Sequence, residues 1–187
     1  DLKFKNILQI ENSLKERTLI VNGVSKAYAM TGWRLGYAGG PKKLINQINK
    51  IQSQSTTHTS SISQAAAIEA LNNSEEFINK NKKVYQERRD IVFSKLKSFD
   101  GFDVFLPQGS FYIYVCCNNL MNKKKEDGTL INNDIEFSDY LLDEAGVAVV
   151  PGEAFGCSNY FRTSFATSKS NLEKGCDKII EASKKLK

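Results

Sequence analysis

The spacing of apolar residues switches between helical and strand-like along this chain and divides it into elements. Ile7, Leu8, Ile10 and Leu14 are spaced for a short amphipathic helix within residues 1–17. Thr18 to Val21 is a short apolar run and predicts a buried strand. Trp33 to Ala38, closed by Gly39, Gly40 and Pro41, predicts a second one. Pro41 suits the first position of a helix, and Leu44, Ile45, Ile48 and Ile51 supply its apolar face. Residues 52–60 are polar without periodicity and predict a loop, which carries His58. Ser61 and Gln64 match a capping box, opening a helix through Ala65, Ala66 and Ala67 to Leu71. Three successive alanines suit close approach to another backbone, and tight packing within one chain is compatible with them. Ser74 predicts the start of a long helix reaching Phe99. Phe77, Val84 and Ile91 repeat along it every seven residues, with Ile78, Tyr85 and Val92 beside them.

After Asp100 and Gly101 the period falls to two. Phe102 to Leu106 and Ser110 to Cys116 predict strands on either side of a Pro107–Gly109 turn. Residues 118–133 are polar, with three successive lysines and an Asp127–Gly128 turn, and predict a solvent loop. Ile135 to Ala145 predicts a helix stopped by Gly146, followed by a buried strand from Val147 to Val150 and a loop from Pro151 to Gly156. Tyr160 to Ala166 predicts a strand with Phe161, Thr163 and Phe165 on one face and Arg162 on the other. Ser170 and Glu173 form a second capping box, and Leu172, Cys176, Ile179, Ile180 and Leu186 make the buried face of the last helix. Strands alternating with helices, then an α+β second half, predict an α/β chain with a separate α+β part at its end. No Gly/Ser-rich linker marks a border, so the border falls inside the long helix, dividing residues 1–75 from 76–187.

A chain of 187 residues, 41% hydrophobic, can build one good core or two small ones. Its net charge of +5 comes from scattered lysines, including Lys42, Lys43, Lys123 to Lys125 and Lys184. A nucleic-acid surface would gather cations on one face with aromatics between them, so the pattern argues for a solvated surface and against nucleic acid. The cysteines are Cys116, Cys117, Cys157 and Cys176, without C-x-x-C spacing, and His58 is the one histidine, which leaves no zinc set. The thiols are expected to be small core residues or free in a reducing cytoplasm. No signal peptide and no apolar run long enough for a membrane span are evident, which also points to the cytoplasm.

Candidate chemistry gathers between Asn22 and Tyr37. Lys26 follows the first predicted strand, and Arg34 comes eight positions later (34 − 26 = 8), in or near the second. Two cations held close on a sheet call for an anion, and a lysine there can take an aldehyde. Imine formation needs a neutral amine, which burial and a neighbouring cation favour. The guanidinium fork of Arg34 matches phosphate oxygens two at a time. On spacing alone, a solvated strand-end lysine and an Arg34–carboxylate ion pair remain open.

The stretch Ser25-Lys26-Ala-Tyr-Ala-Met-Thr-Gly32-Trp33-Arg34-Leu-Gly-Tyr37 resembles the Schiff-base lysine segment of the class I aminotransferases, pyridoxal 5′-phosphate enzymes of fold type I. Gly39-Gly-Pro-Lys42, Gln52-Ser-Gln-Ser-Thr-Thr57, Ala145-Gly-Val-Ala-Val-Val-Pro-Gly152 and Phe161-Arg-Thr-Ser-Phe-Ala-Thr-Ser168 follow in that family's order. The pattern is most similar to the subgroup Ib aspartate aminotransferases. Family chains are much longer, so this one resembles their C-terminal half.

The resemblance implies a fold, a reaction and a set of residues. The fold would be the C-terminal part of a large cofactor-binding domain with a parallel sheet, then a small α+β domain. The reaction would be transamination between aspartate, or a related amino acid, and 2-oxoglutarate, in a homodimer. Lys26 would form the internal aldimine with pyridoxal 5′-phosphate and then carry the proton of the 1,3-transfer. Arg34 would grip the cofactor phosphate, with Ser25 adding a hydroxyl, and Arg162 would clamp the substrate α-carboxylate. No metal is implied. The family's Asp at the pyridine nitrogen, its stacking aromatic and its phosphate loop precede the lysine segment and lie outside this chain. The pyridinium makes the cofactor an electron sink, so the chain alone is expected to show little or no activity. Open sheet edges would favour association. Rival readings are a prephenate or aromatic aminotransferase, a cysteine-conjugate β-lyase of the same fold, and a non-catalytic fragment.

Overall fold

A computed structural model describes residues 3–187. Contacts divide the chain into one unit ending at Asn81 and another spanning Lys82–Lys187.

The first unit begins with α1 (Ile7–Ile10), whose cap is reciprocal. The Gln9 amide N–H donates to the Asn6 side chain at 3.1 Å, and the Asn6 N–H donates to Gln9 Oε1 at 3.0 Å. The helix expected within residues 1–17 is interrupted at Glu11, which is extended and starts a 3₁₀ segment, Asn12–Arg17. β1 (Ile20–Gly23) and β2 (Gly36–Gly39) pair antiparallel, Ile20 facing Gly39 and Gly23 facing Gly36. Both strands start later than the apolar runs, the second because Trp33 belongs to a 3₁₀ turn, Thr31–Trp33. The expected burial of the first strand is corrected: Val21 is 72% exposed. A two-stranded ribbon has no second layer of its own to cover its faces. All strand pairs among the described residues are antiparallel.

α2 (Lys42–Gln54) takes Pro41 as its N-cap, and none of its residues is fully buried. α3 (Ser61–Asn73) is capped by Ser60 without a side-chain bond. The capping box expected from Ser61 and Gln64 does not form, because the Gln64 side-chain amide donates to the Thr59 carbonyl at 2.7 Å. Ser63, Ala67 and Ala70 are the buried residues of α3, one face of small side chains. α4 (Glu75–Lys97) runs without a break from the first unit into the second.

The second unit holds β3 (Asp103–Val104), β4 (Tyr112–Cys116), β5 (Lys123–Lys124), β6 (Leu130–Ile131), α5 (Asp134–Ala145), β7 (Val150–Pro151), β8 (Tyr160–Ser164) and α6 (Lys169–Lys184). Its sheet has the order β3-β4-β8-β7, all antiparallel. Alternation along β4 and β8 sends Ile113, Val115 and Phe161 into the core and leaves Tyr112, Tyr114 and Arg162 on the other face. The core joins these to Val92 and Leu96 of α4, Phe137 and Leu141 of α5, and Cys176 and Ile179 of α6. The Phe161 ring lies 5.4 Å from that of Phe102 and 5.8 Å from that of Phe137. Tyr140 ties α5 to α6 by donating its hydroxyl to the Ala182 carbonyl at 2.8 Å. Lys95 and Asp177 form an ion pair between α4 and α6.

Two further expectations need correction here. Residues 118–133 are not a solvent loop, since β5 and β6 form a hairpin and Leu120 and Ile131 are buried. Lys124 exchanges backbone bonds with Lys187, at 2.8 and 3.0 Å, so the polar residues are the wet face of a structured segment. The last helix is capped by Ser168, whose hydroxyl accepts from the Asn171 N–H at 3.3 Å, and not by Ser170.

All four cysteines are free thiols. Burial pushes the Cys117 thiol up to about 12 and the Cys176 thiol up to about 11. Since the thiolate is the reactive form, iodoacetamide at pH 8 is expected to alkylate the half-buried Cys116 and Cys157 well before Cys117 and Cys176. Peptide mass mapping checks this order, and equal labelling of all four would contradict the burial.

Candidate active site

The β1–β2 ribbon explains why an eight-residue spacing matters. Each pair in its register sums to the same number, as in Asn22 with Tyr37 and Gly23 with Gly36. The Val24 N–H donates to the Leu35 carbonyl at 3.4 Å, which continues the ladder by one step. The ladder ends there, because Arg34 has a left-handed backbone, and the connection that runs from Ser25 to Arg34 carries Lys26 as its second residue.

That connection is tied by its own backbone. Ala29 and Met30 donate to the carbonyls of Lys26 and Ser25, each at 3.1 Å. Arg34 Nη1 reaches back to the Thr31 carbonyl at 3.0 Å. Ala29 and Arg34 have φ of 55° and 51°, a left-handed backbone that costs a non-glycine residue about 1–2 kcal/mol. Such strain persists where the surroundings over-determine it, and it often marks functional loops.

Lys26 and Arg34 are both exposed, and Ser25 is half-buried. Of the two influences that favour a neutral amine, burial is therefore not supplied at Lys26. No carboxylate among the described residues lies within ion-pair distance of Arg34. One guanidinium N–H is used on Thr31 and the rest of the fork remains available. An amine, a guanidinium and a hydroxyl on one turn suit a phosphorylated aldehyde, so the donor set fits pyridoxal phosphate.

Arg162 lies in the second unit, on β8, opposite Tyr114 of β4 and Val150 of β7. Its Cζ stands 4.1 Å from the Tyr112 ring centroid and 4.2 Å from that of Phe155. No carboxylate among the described residues pairs with it. The ribbon thus brings Ser25, Lys26 and Arg34 together, while Arg162 has its own aromatic setting. Tyr112, Phe155 and Asp134, which prove important to that setting, were not legible as functional residues. The first two read as ordinary strand and loop aromatics, and Asp134 fell between the predicted polar loop and the predicted helix.

Among the described residues there is no group of three or more side chains that could hold a metal ion. Among the described residues no helix is long and apolar enough to cross a membrane.

A model of the family "Aminotransferase class I and II" matches residues 1–179. A protein of Rickettsia prowazekii described as a probable aspartate/prephenate aminotransferase is 50% identical over 182 residues, covering 97% of this chain and 46% of that one. An aspartate aminotransferase of Rhizobium meliloti is 48% identical over 184 residues, covering 98% of this chain and 45% of that one. The crystal structure of the aspartate aminotransferase from Rhizobium meliloti superposes with a TM-score of 0.95 at 47% identity, over 100% of this chain and 46% of the other. An aromatic aminotransferase from Pyrococcus horikoshii superposes with a TM-score of 0.83 at 34% identity, over 97% of this chain and 46% of its own. The chain spans about half the length of the curated relatives it matches.

Proposed function

The chain belongs to the class I and II aminotransferases, and on that premise we propose that the protein transfers an amino group between aspartate, or a closely related amino acid, and 2-oxoglutarate, with pyridoxal 5′-phosphate as cofactor. The observation that carries this reading is the antiparallel ribbon, whose single short connection carries Ser25, Lys26 and Arg34 together. The relatives' names support the amino donor. Residues 1–75 then belong to the cofactor-binding large domain and 76–187 to the small domain of a homodimer.

Lys26 would hold the cofactor through Nζ, and Arg34 would take its phosphate, with the Ser25 hydroxyl as a further donor. The bound cofactor supplies an electron sink for the bond to the substrate Cα. Released from that role, the Lys26 amine takes the proton from Cα and returns it at the other end of the transfer, as a positioned general base and acid. Arg162 grips the α-carboxylate, so the Cα–H meets Lys26 in one orientation rather than many. Prephenate is the second amino acceptor to assay, because the Rickettsia relative is described by both substrates.

Borohydride reduction after incubation with pyridoxal phosphate tests the reading. The expected result is a pyridoxyl label confined to the Lys26 peptide and weakened by Arg34→Ala. Label spread over Lys42, Lys80 and other surface lysines, with none at Lys26, would sink it.

A further inference from the structure

The setting of Arg162 contains more than its strand requires. Its guanidinium is flanked by the Tyr112 ring at 4.1 Å and the Phe155 ring at 4.2 Å. A guanidinium is planar and weakly hydrated, so aromatic rings stack on it and leave its N–H edge as the binding surface. Tyr112 comes from the neighbouring strand and is placed by the sheet register. Phe155 comes from a loop, and it is 48% exposed, so burial in the core does not hold it.

The loop is held by Asp134 instead. This aspartate is 0% exposed and stands at the first position of α5, away from any cation among the described ion pairs. Its Oδ2 accepts the Glu153 N–H at 2.8 Å, and its Oδ1 accepts the Asn159 N–H at 3.2 Å. The two donors sit at opposite ends of the segment that carries Phe155, so one carboxylate closes that segment at its neck. Within it, Gly156 and Cys157 donate to the carbonyls of Glu153 and Gly152, at 2.9 and 3.0 Å. Gly152 has no room for a side chain, since a Cβ would lie 2.1 Å from the Cys157 carbonyl oxygen. Phe155 also meets the Tyr114 ring edge-on at 6.0 Å. A loop tied this firmly presents a half-exposed aromatic to a cation.

We propose that Phe155 and Tyr112, with Asp134 fixing the loop behind Phe155, are positioning residues that hold the Arg162 fork ready for a planar carboxylate. The inference rests on the reading of Arg162 as the partner of the substrate carboxylate. A fork ordered before the ligand arrives loses less freedom on binding, and the gain appears as carboxylate affinity.

The test is calorimetric titration of the whole protein with maleate, a dicarboxylate that cannot be transaminated, alongside titration with pyridoxal phosphate. Phe155→Leu removes the ring but keeps an apolar side chain, and it should raise the maleate Kd about tenfold, the size of a partly desolvated cation–π contact. Phe155→Tyr should restore affinity to within about twofold, because the ring face returns. Asp134→Asn keeps the volume but replaces one acceptor oxygen with a donor, so it should weaken maleate as well. Pyridoxal phosphate affinity should stay at the wild-type value in the Phe155 variants, which a general loss of structure would not allow. Arg162→Gln separates the two failures. If it leaves maleate binding intact, the carboxylate reading falls and takes this inference with it. If it abolishes binding while Phe155→Leu binds as wild type, the positioning role is overturned and the reading of Arg162 stands.

Discussion

If Lys26 has the proposed role, Lys26→Ala in the whole protein is expected to lower kcat for aspartate transamination by about 10³–10⁴-fold, with the fold retained. The size follows from what a positioned acid–base group contributes, at the upper end because the proposed role has the same amine hold the cofactor. The fold is retained because the backbone bonds of the turn, donated by Ala29 and Met30, survive the substitution. Lys26→Arg should not rescue, because a guanidinium stays protonated at any working pH and cannot accept the Cα proton. Steady-state kinetics and a thermal melt on the same preparations decide the matter. A kcat within about tenfold of wild type would place the proton transfer elsewhere, since it falls below the range for such groups.

Phe161→Ala is expected to destabilise the protein by about 3–5 kcal/mol. Phe161 is completely buried on the central strand β8, with the rings of Phe102 and Phe137 against it. Those rings are anchored in separate elements, so they cannot both close the space, and the cavity cost adds to the lost burial. Phe105→Ala makes the control, because that side chain is exposed and exposed substitutions usually shift stability by about 0.5 kcal/mol or less. Urea denaturation of the two variants measures the difference. A loss below about 1 kcal/mol for Phe161→Ala would mean that the core around β8 is not the jigsaw its contacts describe.

These two residues also show where sequence reading succeeds and where it stops. Phe161 was legible because strand alternation needs only neighbours in sequence: Phe161, Thr163 and Phe165 on one side leave Arg162 on the other. The last helix was legible in the same way, and Leu172, Cys176 and Ile179 are buried as their spacing required. Helix caps failed twice, at Ser61 and Ser170, because several serines stand close together and only the backbone dihedrals choose among them. Residues 118–133 read as a loop because lysines hide a two-residue strand, and the backbone pairing with Lys187 spans most of the second unit.

By itself the sequence determined the α/β order of elements, the position of the long helix and the candidate set Ser25, Lys26, Arg34 and Arg162. Those follow from periodicity and from an ordered series of short motifs, and both are local in the chain. Tertiary structure alone decided that β1 and β2 pair so that one short connection carries Ser25, Lys26 and Arg34, since a register depends on hydrogen bonds between strands. It alone decided that Asp134 lies buried under the loop carrying Phe155, 21 positions away (155 − 134 = 21), and that this loop stands over Arg162. A carboxylate tolerates complete burial only where its oxygens find donors, and those donors are backbone N–H groups, which no residue type in the sequence announces.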